Sequence, residues 1–134
     1  MSYSGYLIEV NNTRISYNYI QYGTYHCTPN QRLDLDSFRD STGILHRNVL
    51  NHTATKITFQ TVEMNETTKV TLMNTLNGAF INSLERKLNI KYYSPDLSIY
   101  KNATVYMPDI DFELDRDENG VLWYKPFTLT FIEY

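Results

Sequence analysis

Two short stretches gather side chains that could do chemistry. DSFRDSTGILHR, Asp36 to Arg47, crowds carboxylates, arginines and a histidine around a glycine. DRDENG, Asp115 to Gly120, matches D-x-D-x-N-G, the first half of an EF-hand calcium loop. That loop needs a bidentate carboxylate at its twelfth position, which here is Pro126, and its flanks must be helices where this sequence reads as strands. The stretch therefore reads as a hairpin turn, in which Asn-Gly supplies the positive φ of a tight reversal. Carboxylates at the strand ends also discourage stray edge pairing.

Other chemical readings lack partners. His26, His46 and His52 form no HxH or HxxxH spacing, and a zinc site takes three or four ligands. Cys27 is the only cysteine, so it reads as a small, partly buried strand residue with no internal disulfide. Ser37, His46 and Asp40 have the types of a nucleophilic triad, but no GxSxG elbow or strand–turn–helix context surrounds Ser37. No spacing among the acidic residues singles out a glycosidase pair, and the 5 scattered glycines make no phosphate loop. The expectation is no metal, no cofactor and no enzyme.

The charges of the first stretch read better as pairing groups. Arg32, Arg39 and Arg47 alternate with Asp34, Asp36 and Asp40, and His46 lies among them. Across a hairpin such charges face each other and help fix register. Turned toward a second subunit they would make a specific polar contact, since arginine pairs bidentately with carboxylates. These seven residues are the candidate subunit-interface set. A long hairpin is marginal in water unless it packs on something, which favours a contact over a free flap.

The elements that must position this hairpin are mostly strands. Tyr6 to Ile20 reads as two short strands around Asn11-Asn12, a pair that tolerates positive φ. Strand content continues through YGTYHCT, punctuated by Pro29. Leu33 and Leu35 alternate with Asp34 and Asp36, Asp40-Ser41-Thr42-Gly43 is a turn, and ILHRNVL returns, giving an extended hairpin over about 31–50. Lys56 to Val62 is a clean strand. One helix is expected over about 65–87, with Asn65 as N-cap, Glu66 in the first turn, and Val70, Met73, Leu76, Phe80 and Leu84 as its apolar stripe. Gly78 in mid-helix suggests a close backbone approach to the sheet. LNIKYY and SIYKNATVYM are strands joined around Ser94-Pro95-Asp96, and a final hairpin turns at DENG before FTLTFIEY. Pro126 marks an edge or a bulge.

The chain has 134 residues, a length that suits one domain over 1–134. Hydrophobic residues at 42% and charged residues at 20% indicate a soluble globular class. A net charge of −3 argues against a nucleic-acid surface. No apolar run is long enough for a membrane span, and the N-terminus lacks the form of a secretory signal. Hence the four Asn-x-Thr sequons, at Asn11, Asn51, Asn65 and Asn102, carry no glycosylation reading. Tyrosine, 12 of 134, suits half-buried strands and contact surfaces. The fold class is mainly β (α+β): an antiparallel β-sandwich or split barrel with one packed helix.

The string TPNQRLDLDSFRDSTGILHRNVLNHTATKITFQT resembles a family of small tail-module proteins from tailed phages and prophages of Gram-positive bacteria. YYSPDLSIYKNATVYMPDIDFEL resembles that family's tyrosine-rich strand pair, and FTLTFIEY its aromatic ending. The resemblance covers nearly the whole chain. It implies a tail-tube-like domain similar to that of distal tail proteins, in a minimal form without a second, carbohydrate-binding-like domain. The implied role is a ring-forming distal tail or tail-tip adaptor in the virion tail, held in the bacterial host cytoplasm before assembly. Its partners would be itself, as a hexamer, and the tail tube and tip or baseplate proteins, with the tape measure a further candidate. A tail terminator or head–tail completion protein is the alternative within the tail. A soluble module binding a host protein or glycan through its tyrosines is the alternative of another class.

Overall fold

The structure, a computed structural model, describes residues 3–134. Among these residues, thirteen strands, one α-helix and a short 3-10 turn (Tyr17–Tyr19) follow in chain order. They are β1 (Ile8–Val10), β2 (Thr13–Arg14), β3 (His26–Gln31), β4 (Phe38–Arg39), β5 (Leu45–His46), β6 (Ala54–Gln60) and β7 (Met64–Asn65). Then come α1 (Glu66–Gly78), β8 (Phe80–Asn82), β9 (Lys87–Ser94), β10 (Ile99–Tyr106), β11 (Leu114–Glu118), β12 (Val121–Tyr124) and β13 (Thr128–Glu133). The main sheet runs β2-β1-β9-β10-β13-β6-β3, with β8 also on β9. A second sheet runs β11-β12-β7, and β4-β5 stands apart. Every strand pair is antiparallel, so the fold is mainly β with one helix, as expected.

Alternation in the strands decides which face is buried. Ile8 and Val10, Leu88 and Ile90, Ile57 and Phe59, and Leu129 and Phe131 all point to one side of the main sheet and are buried. Leu72 and Leu76 of α1, with Ile15, Ile20 and Met107, complete the same cluster. Glu9, Lys91, Lys56, Thr58 and Thr130 take the intervening positions on the other face. Burying a side chain as large as Phe59 or Phe131 stabilises by about 3 kcal/mol.

Turn chemistry appears where the residue types demand it. Asn11 and Asn12 sit at φ 48° and 65°, and Asn119 and Gly120 at 55° and 81°, each reversing a tight hairpin. Pro126 lies in the break where the chain leaves the second sheet after β12 and joins the main sheet as β13.

The helix begins as expected and ends early. Asn65 Oδ1 accepts from the Thr68 amide at 3.0 Å, and Glu66 lies in the first turn. The helix stops at Gly78, not near residue 87. Phe80 pairs with Leu88 in the sheet, and Asn82 Oδ1 accepts from the Leu84 and Glu85 amides, so a side-chain-capped hairpin displaces further helix. The buried stripe is accordingly Leu72 and Leu76, while Val70 is exposed and Leu84 is 95% exposed. Nor does Gly78 approach the sheet closely: an added Cβ would meet nothing within 4 Å. Arg86 and Lys87 leave the helix; Arg86 takes φ 55° in the turn, and its Nε donates to the Met107 carbonyl at 2.7 Å.

Candidate functional site: a projecting arm

β3 leads out of the main sheet and β6 leads back, and residues 32–53 form the excursion between them. The return is a ribbon: Leu35 N donates to Asn48 O at 2.7 Å, Leu50 N to Leu33 O at 2.8 Å, and Asp34 bridges Val49. Phe38 pairs with His46 and Arg39 with Leu45 nearer the tip. At 3.3 Å per residue the arm reaches about 30 Å. Within the described residues, every hydrogen bond and ion pair of residues 33–50 closes inside the arm, and none of these residues joins the core cluster.

The tip is built on Asp40. Its Oδ1 accepts from the Thr42 amide at 2.9 Å, the Thr42 hydroxyl at 2.6 Å and the Ile44 amide at 3.1 Å. Its Oδ2 lies 2.9 Å from His46 Nε2. These bonds, from Thr42 first and then His46, hold its carboxyl down at about 2. Gly43 at φ 86° closes the turn, and the Arg39 guanidinium donates to its carbonyl at 2.9 Å.

The stem is fixed by a second pair. Arg47 meets Asp34 through Nε at 3.2 Å and Nη2 at 2.8 Å, a bidentate contact. The hydrogen bond from Arg47 lowers the Asp34 carboxyl below its ordinary range. Arg32 donates to the Asn30 carbonyl at the arm's root. Asp36 makes no ion pair among the described residues; it takes φ 54° instead. All seven sequence-predicted residues thus lie on one ribbon, and the two ion pairs among them set its register.

Sequence reasoning missed the apolar side. Leu35 lies opposite Asn48, yet Phe38 lies opposite His46, so two residues, Asp36 and Ser37, face Arg47 alone. This is a β-bulge, with its first residue left-handed. It keeps Leu33, Leu35 and Phe38 on one side of the ribbon, together with Ile44 and Leu50 of the return strand. Phe38 is 59% and Ile44 60% exposed, and the other three are exposed too. The opposite side carries the Asp34–Arg47 pair and Arg39, with exposed Leu45 and Val49 beside them. Phe38 stacks on His46, ring centroids 5.0 Å apart. The apolar alternation is visible in Leu33 and Leu35, but it reads only as one strand of the hairpin.

The fold recurs in solved particles. A chain in the tail of an empty gene transfer agent (GTA) particle, computed with helical refinement and C6 symmetry, superposes with a TM-score of 0.53. The two are 12% identical, over 97% of this chain and 91% of that one. A chain in the virion of the native GTA particle matches at 0.52 with 13% identity over the same shares. The architecture is therefore one found in gene transfer agent particles. The chain itself belongs to a family of unknown function (DUF6711), whose model matches residues 1–134. No curated protein matches the sequence.

Proposed function

We propose that the chain is a structural subunit of a long-tailed phage virion, a ring-forming distal tail or tail-tip adaptor joining the tail tube to the tip or baseplate. The observation that carries this reading is the arm. Its Asp34–Arg47 and Asp40–His46 pairs close within it, it is detached from the core, and it is apolar on a face turned to solvent. Contiguous exposed apolar residues of this kind mark an interaction site. The fold's counterpart in a C6 tail supports six copies, each lending its arm to a neighbour. A ring contact is heterologous, so arm and receiving patch differ. The virion tail is then the protein's place, and the host cytoplasm its place before assembly.

Multi-angle light scattering and negative-stain microscopy of the purified protein test the proposal. Closed rings of hexamer mass are the expected result. A monomer at every concentration overturns it.

Helical refinement of the counterpart tail favours a second reading, a subunit that stacks along the axis as the tube itself. The tube reading expects filaments in the same micrographs, whereas an adaptor stops at single rings.

A further inference from the structure

The arm needs a receiving surface, and its apolar side limits the choice. Several hollows on the body are ruled out by their polarity. One beside β13 is lined by Asp109, Asp111 and Glu113, and another beside β1 by Glu9, Asn11, Asn12 and Lys91. Covering these with Leu35, Phe38 and Ile44 would strand charges and amides without partners. Leu84 and Leu97 are exposed in turns, where they stand out singly and offer no concavity.

Two adjoining hollows differ. They measure about 410 and 400 Å³ and share Asn18 and Val62, so they form one groove. Tyr17, Tyr19 and Tyr22 line it with Val62, Met64 and Trp123, and the amides of Asn18 and Gln21 stand among them. Its floor is fixed by backbone bonds, Val62 N to Tyr19 O at 3.0 Å and Gln21 N to Gln60 O at 2.9 Å. Tyr22 is 84% exposed on its rim, a large ring with little to cover it. The one charge in the lining, Glu63, is paired with Arg116 at 2.8 Å, a guanidinium that also meets Asp115 and Glu118. An apolar insert would therefore strand no unpaired charge.

Its place in the fold also suits a cyclic contact. The arm leaves the β3–β6 pair at Gln31 and Ala54, whereas the groove lies beyond Gln60, at the other end of β6. A copy that gives its arm at one end and accepts one at the other has the two unlike surfaces that a heterologous ring requires.

We infer that the groove between Tyr22 and Trp123 receives the arm of the next copy of this chain, with Phe38 and Ile44 as the inserted side chains. The inference rests on the ring reading above and adds its receiving surface. Aromatic rings that enter a desolvated pocket dominate interfaces of this type.

Disulfide trapping decides it. Phe38→Cys and Tyr22→Cys are combined in a Cys27→Ser background and oxidised at a concentration where light scattering finds rings. The expected result is a ladder of covalent oligomers on a non-reducing gel, none with either single cysteine, and dimers only when the two single variants are mixed. Rings that assemble but give no ladder overturn the groove while leaving the ring reading intact. Absence of rings before oxidation, in the protein with its native residues, overturns the ring reading itself. As a second arm, Tyr22→Asp is expected to weaken assembly at least tenfold with an unchanged melting temperature, and Leu84→Asp, outside the groove, to leave assembly unchanged. Equal effects of the two substitutions would also sink the groove.

Discussion

The chain carries two charged hairpins of similar composition, and they behave differently. β11–β12 is rich in Asp, Glu and Arg and turns at Asn119-Gly120; the arm is rich in Asp and Arg and turns at Gly43. In the C-terminal hairpin, Arg116 lies over Trp123 and reaches across to Glu63, while Trp123 and Tyr124 pair with Asn65 and Met64. The Tyr124 hydroxyl donates to Glu66 at the start of α1, 2.5 Å away. In the arm, Arg47 reaches only Asp34, and His46 only Asp40. Charge content does not separate a fastened hairpin from a projecting one. What separates them is whether a pairing group lands outside its own ribbon.

The largest expected contrast comes from removal. Replacing residues 33–50 with a short Gly-Ser turn should abolish rings in light scattering and move the melting temperature by no more than about 2 °C, the scale of an exposed segment. Tyr124→Ala should instead cost about 3 kcal/mol in urea unfolding, because it empties a packed site and takes one of its two partners from Glu66, which keeps Lys69. If the two changes destabilise alike, the arm belongs to the core and the contrast collapses.

A smaller effect is expected from Phe38→Asp. It should weaken assembly about tenfold, by placing a charge on the apolar side, with no change in the unfolding midpoint. Assembly as tight as that of the native protein would show that the apolar side is not in contact. Reversal on the other side, Asp36→Arg or Arg39→Asp, should weaken assembly roughly threefold with the fold intact. Indifference to both reversals would remove the charged side from the interface and leave the apolar side alone there.

The smallest effect is local and depends on acid. Asp40 is held at about 2, below its ordinary 3.8, so its bonds favour the folded tip above about pH 4 and are lost as pH falls through 2. The Thr42 and Ile44 amide resonances should titrate together with a midpoint near 2. A midpoint near 4 for both would mean that the tip is not organised around Asp40.

Much of the frame was legible because it rests on local chemistry. Asn11-Asn12 and Asn119-Gly120 announce tight reversals, and Asn65 announces a helix start, since each supplies a conformation or an acceptor that its neighbours need. The helix end was not legible. Phe80 and Leu84 continue the helical spacing, and only pairing of Phe80 with Leu88, remote from any local signal, shows that the chain has turned into a strand. In the arm, the charges were legible as a pairing set. Its apolar side was not, because alternation reveals two sides of a strand and says nothing about what covers either. Cys27 was read correctly as a half-buried strand residue; burial lifts its thiol to about 11, away from reactivity at neutral pH.

The bulge at Asp36 and Ser37 has a consequence for how such an arm tolerates change. It works as a phase slip in a two-beat pattern, bringing the Leu33–Leu35 beat into step with Phe38. Removing Ser37 would erase the slip and leave Leu35 and Phe38 two residues apart in a regular ribbon, still on one side. A deletion of one residue elsewhere in the ribbon, where no slip absorbs it, should then be more damaging to recognition than the loss of Ser37. Changes in the length of this arm would keep its sides only in even steps, or in odd steps that add or remove a slip.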